Sequence, residues 1–179
     1  MRLVIAPGID NSGPEHWQTL WEQLPGADTV RTAPSSWEHP EAADWVDAVR
    51  TAVAAAGPDC VVVAHSLGCW ATAQVARESG GMRGVVLVAP PDVDSPAFPA
   101  AARGFDRLQP APVRVPGLLV TSDDDPYAGP QANRRMAEAW GVPHVSVGLR
   151  GHINAASGLG SWDEGRRLVT AFGAGLGLS

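Results

Sequence analysis

The chain contains no lysine: all 13 basic residues are arginine. That absence excludes Schiff-base chemistry, a Ser-Lys dyad and a phosphate-binding P-loop lysine together. Cysteine is nearly absent too. Cys60 and Cys69 form no Cys-x-x-Cys pair, and the expectation is two buried free thiols rather than a disulfide or a metal-binding pair. No apolar run approaches the roughly 20 residues that a membrane helix needs. The apolar part of the N-terminus is too short for a secretory signal, so a cytoplasmic protein with no membrane partner is expected. Positive charge is scarce, and the formal net charge of −6 argues against nucleic acid as a partner. Nucleophilic chemistry must therefore use Ser, Thr, Cys or a carboxylate, with His as base. The remaining composition is that of an ordinary globular chain. Its 179 residues suit a single domain, 1–179, large enough to bury a core without staples.

The segment that organises the chain is 60–70, Cys-Val-Val-Val-Ala-His-Ser-Leu-Gly-Cys-Trp. Its β-branched run predicts a buried strand, its small residues a sharp turn, and the Ala-rich stretch 68–77 a helix. Strand, tight turn and helix are the setting in which a serine of the Gly-x-Ser-x-Gly type is held above a sheet edge. Ala64 stands where that pattern has its first glycine. Gly68 lets the helix pass close to neighbouring strands. A serine at a helix start can also be only a cap, so the rest of the chain must supply its partners.

Strands are predicted at 3–6, 28–33, 61–63, 85–89, 118–121 and 145–147. Helices are predicted at 15–24, 41–56, 68–77, 130–140 and 159–176, with Gly80-Gly81 stopping the third and a short helix possible at 97–104. This alternation implies an α/β fold: about six parallel strands with helices on both faces and no large lid domain. Residues 90–116, with seven prolines, leave no room for one. Ligands on such sheets sit beyond the carboxyl ends of the strands. The polar groups of note fall at four such ends: residues 8–11, Ser66, residues 123–125 and His152.

A serine hydroxyl needs a base, and the base needs an orienting group. Ser66, then an Asp after the fifth strand, then His152 after the last is the Ser…Asp…His order of α/β-hydrolases. Among the five histidines, His16 and His39 lie in or beside early helices, His65 is expected to point away from Ser66, and His144 is expected to be structural. The acid is open between Asp125, before Pro126, the neighbouring Asp123 and Asp124, and the more distant Asp92 and Asp94. The oxyanion donors are expected to be the backbone N–H groups of Leu67 and Ile9.

These motifs together resemble the small serine hydrolases of the retinoblastoma-binding-protein-nine and YdeN family, a minimal α/β-hydrolase group. The resemblance runs nearly end to end. It rests on Pro7-Gly8, His16-Trp17, the Trp37, Pro40 and Trp45 segment, residues 64–68, Val88-Ala89-Pro90, residues 122–127 and Gly151-His152-Ile153-Asn154. It implies Asp125 as the acid beside Ser66 and His152, and a sheet lacking the first two strands of larger hydrolases. Ala64, usually Gly in members, is the one departure. The reading is an esterase-type hydrolase of small acyl esters, needing no cofactor and no metal. A hydrolase-shaped binding module, docking a protein partner through exposed Trp37 or Trp162, is the alternative. A flavin-binding, flavodoxin-like protein is a weaker one.

Overall fold

A computed structural model describes residues 1–78 and 81–178. Six strands form one fully parallel sheet: β1 (Arg2–Ala6), β2 (Thr29–Arg31), β3 (Cys60–His65), β4 (Gly84–Val88), β5 (Gly117–Thr121) and β6 (His144–Ser146), in the order β2-β1-β3-β4-β5-β6. Four helices lie between strands, α1 (Trp17–Glu22), α2 (Ala42–Ala56), α3 (Gly68–Ala76) and α4 (Pro130–Trp140), and α5 (Asp163–Gly175) follows the last strand.

The strands divide their side chains between two cores. Val4, Val62, Ala64, Val85, Leu87 and Leu119 face one way and pack with α2, α3 and α4. Ile5, Val61, Val63, Val86, Val88 and Val120 face the other, against Trp17 and Trp21 of α1 and Val169 of α5. Strands buried on both faces have no reason to alternate polar and apolar residues, which is why Val61–Val63 and Val85–Val88 are uninterrupted. On α2 the apolar residues Trp45, Val46, Val49 and Val53 recur at helical spacing and all are buried.

The expected architecture stands, with local corrections. Helix α1 is shorter than 15–24 because His16 caps it, its Nδ1 accepting the Gln18 N–H. Residues 97–104 form no helix: prolines 96 and 99 hold that stretch in turns, and a single 3-10 turn, Phe105–Arg107, follows instead. The last strand begins one residue earlier than expected, and α5 begins at Asp163 rather than 159. In the expected Gly80-Gly81 stop, Gly80 lies outside the described residues.

The elbow after β3 depends on one missing methyl group. A Cβ built on Gly68 would sit 2.4 Å from the Pro7 carbonyl oxygen and 2.5 Å from that of Ala6. Both obstacles are backbone, at the last residue of β1 and the one after it, so neither can swing aside. Gly68→Ala is expected to cost on the order of 3 kcal/mol, the upper range for overpacking. Thermal unfolding checks this, with Gly13→Ala, whose Cβ would meet nothing within 4 Å, as the near-neutral comparison.

Candidate active site

β3 delivers the chain to Ser66 in a left-handed conformation, φ 53°, sparsely populated for a residue with a Cβ and therefore held by its surroundings. The Ser66 N–H donates to the Val88 carbonyl at 2.9 Å, which ties the turn to the end of β4. Gly8, beyond β1, passes so close that a Cβ there would lie 2.7 Å from the Ser66 Cβ. Ser66 is thus pinned between the ends of three neighbouring strands.

The predicted residues Ser66, Asp125 and His152 come together. The Ser66 Oγ lies 2.8 Å from His152 Nε2. On the other edge of the ring, Nδ1 lies 2.9 Å from Asp125 Oδ2 and 3.1 Å from Oδ1. A carboxylate only accepts, so Nδ1 carries the proton and donates, and Nε2 accepts from the Ser66 hydroxyl. All three residues are buried. The Tyr127 N–H donates to Asp125 Oδ1 at 2.9 Å, orienting the carboxylate.

The other acids have different partners. Asp123 accepts from Ser146 Oγ, and Asp92 pairs with Arg135. The exposed Asp94 donates its N–H to the Asp92 carboxylate in a local turn. Asp124 is structural in a specific way: its Oδ1 accepts from Ser122 Oγ at 2.6 Å and from the Gly151 N–H at 2.7 Å. These bonds hold its carboxyl below the usual carboxylate range. They also join the loop after β5, which carries Asp125, to the loop that carries His152. His144 is bonded to Thr121 and His39 is exposed.

Sequence reasoning missed how His152 is held. His65 Nε2–H donates to the His152 carbonyl at 2.9 Å, and Trp17 Nε1–H donates to the next carbonyl, Ile153, at 2.8 Å. Two consecutive carbonyls are gripped while Ile153 adopts φ 48°. Tyr127 stands edge-on to the His152 ring with centroids 4.5 Å apart. His16 packs on His65 at 4.8 Å. The pairing His16-Trp17, seen in the sequence as a motif without a role, was the one available signal.

Burial lowers the His16 pKa from 6.5 to about 4, with the Arg31 charge and His152 adding to the effect; burial likewise takes His65 well below its ordinary value. The sign follows from linkage. For His16, the unfolded chain binds the proton below pH 6.5 while the folded chain resists until about pH 4, so its contribution to stability is intact above that window and is lost as pH falls through it; His65 acts in the same direction. His16 alone accounts for about 3 kcal/mol across the window. Unfolding temperatures measured from neutral to mildly acidic pH are expected to fall, and less steeply in His16→Asn, which keeps a capping side chain.

A cavity of about 380 Å³ opens in front of Ser66, walled by Ile9, Asp10, Pro91, Pro99, Tyr127 and Ala156 among others. This lies near the lower end for small-molecule sites. Ile9 and Leu67 both have backbone N–H groups bonded to no acceptor among the described residues. Trp162 corrects the alternative, binding-module reading: it is 4% exposed, packed on Trp17 and Trp21. Trp37 is half-buried against Trp45. Both thiols are buried and free. Among the described residues, no helix is long and apolar enough to cross a membrane.

Comparison with known proteins adds to this geometry. The sequence model of a family described as "Serine hydrolase" matches residues 3–171. The crystal structure of a protein described as a YdeN-like hydrolase, from Pectobacterium atrosepticum, is 32% identical. The match covers 98% of this chain and 91% of that one with a TM-score of 0.84. The ydeN product of B. subtilis is similar in fold at 18% identity and TM-score 0.78, covering 96% and 97% of the two chains. A monoacylglycerol lipase of Paleococcus ferrophilus, 13% identical, shares the fold at TM-score 0.68 over 97% of this chain and 94% of its own. No curated protein matches the chain.

Proposed function

This chain belongs to the serine hydrolase family and is a hydrolase; from that premise we propose that it is an esterase cleaving small acyl esters through an acyl-Ser66 intermediate. The observation that carries the reading is the unbroken run of contacts from the Ser66 oxygen through His152 to Asp125, 2.8 Å and 2.9 Å long.

In this mechanism Ser66 Oγ attacks the ester carbonyl carbon while its proton passes to His152 Nε2. The carbonyl oxygen becomes an oxyanion, met by the N–H groups of Leu67 and Ile9. One such donor contributes about 3–4 kcal/mol to the barrier lowering. Collapse breaks the carbonyl–alkoxy bond, and the alcohol leaves with the proton from His152. Water then attacks the acyl-Ser66 carbonyl and gives one proton to His152 and on to Ser66, releasing the carboxylic acid. Asp125 does not take the proton; it fixes the ring tautomer and stabilises the imidazolium.

The cavity volume supports small substrates, and the cavity wall supplies only a few apolar surfaces, chiefly Ile9, Pro91, Pro99 and Tyr127. Stopped-flow mixing with an activated acetyl ester tests the reading. A burst of released alcohol stoichiometric with protein, followed by slower steady turnover, is expected. Release no faster than in buffer would defeat it.

A further inference from the structure

The charges around the cavity are all of one sign. Among the described residues, no arginine lines it, and Asp10 is the only carboxylate that does. Behind His152 stands a second carboxylate, Asp125. The two wall histidines that are not proposed to move protons, His16 and His65, are both buried and both held toward the neutral form. The cation that acts on His16, Arg31, is committed elsewhere: it pairs with Glu22 and donates to Asn11 Oδ1 and Thr19 Oγ1.

The backbone at Asp10 is held in place. Its φ is 62° and that of Asn11 is 63°. The Asp10 N–H donates to the Trp37 carbonyl at 3.0 Å, and Asn11 is anchored by Arg31. The Asp10 side chain has no hydrogen bond or ion pair among the described residues. An unpaired carboxylate on a held backbone, at the wall of a cavity with no arginine in its lining, favours positive charge in front of it.

We propose that Asp10 makes this site select esters that carry a cationic group, such as a quaternary or protonated amine, over neutral and anionic ones. The inference rests on the esterase reading above. It adds the chemical class of the substrate and names Asp10 as a specificity-determining residue. Asp10 is exposed, so the selection is graded and sensitive to salt.

Two isosteric pairs test it: acetylcholine against the analogue with tert-butyl in place of trimethylammonium, and para-nitrophenyl esters bearing the same two groups on the acyl chain. In the full-length protein at low ionic strength, kcat/KM is expected to favour the cationic member of at least one pair by about 3–10-fold. The ratio should fall toward one in high salt and in Asp10→Asn. Asparagine tolerates the left-handed conformation at this position, and a ratio within one variant cancels any general loss of activity. A wild-type ratio of one or less in both pairs, or a ratio unchanged in Asp10→Asn, would overturn the inference while leaving the esterase reading intact. No turnover of any of the four esters would overturn both.

Discussion

Ser66→Ala is expected to lower kcat on an activated acetyl ester by roughly 10⁶-fold, the scale on which a triad loses its rate when its nucleophile is removed. The residual rate over water comes from the oxyanion donors and from binding. The substitution is well suited to isolating chemistry from folding. Alanine keeps the Cβ, which is the atom Gly8 accommodates. The backbone bond from residue 66 to Val88 does not involve the side chain. The variant should therefore unfold at nearly the wild-type temperature while losing both burst and turnover. A variant that retained a burst would place the nucleophile elsewhere.

Asp125→Asn is expected to give the second-largest effect, a loss of about 10⁴-fold in kcat. The asparagine amide can present an N–H where Asp125 now accepts from His152 Nδ1, favouring the wrong ring tautomer. Nε2 would then carry the hydrogen toward Ser66 and could not accept one. Asp124→Asn is the informative comparison. Asp124 accepts from Ser122 and Gly151 without touching His152, so its loss loosens the loop and should cost only about tenfold, as misplacement rather than removal of a reacting group. Steady-state kinetics on the two variants, each checked for its unfolding temperature, separates these roles. Equal losses would mean that the acid had been misassigned.

What could be read from the sequence, and what could not, divides by the range of the interactions. The elbow was legible because its determinants are adjacent: a β-branched run, Ser66 in a small-residue turn, and Gly68 where β1 crosses. His152 and an acid near residues 123–125 were legible because a parallel sheet gathers strand ends at one edge, so chain order carried spatial information; the choice of Asp125 among its neighbours came from the family resemblance. The supports of His152 were not. Trp17 and Ile153 are 136 residues apart, and His65 and the His152 carbonyl 87; neither contact leaves a local pattern. Trp162 was an exposed docking residue only in the alternative, binding-module reading, and the structure removes it from that role. Its ring is buried by tryptophans from α1, more than 140 residues earlier in the chain. The turns at 97–104 show the opposite failure: alanines suggested a helix, and the two prolines decided otherwise.

The account turns on the oxygen of Ser66 being a nucleophile. Incubating the protein with a fluorophosphonate and mapping the adduct by peptide mass spectrometry tests this directly. One phosphonyl group per chain on Ser66, absent after Ser66→Ala, is the predicted result. An unlabelled chain, or a label carried by another residue, would contradict it.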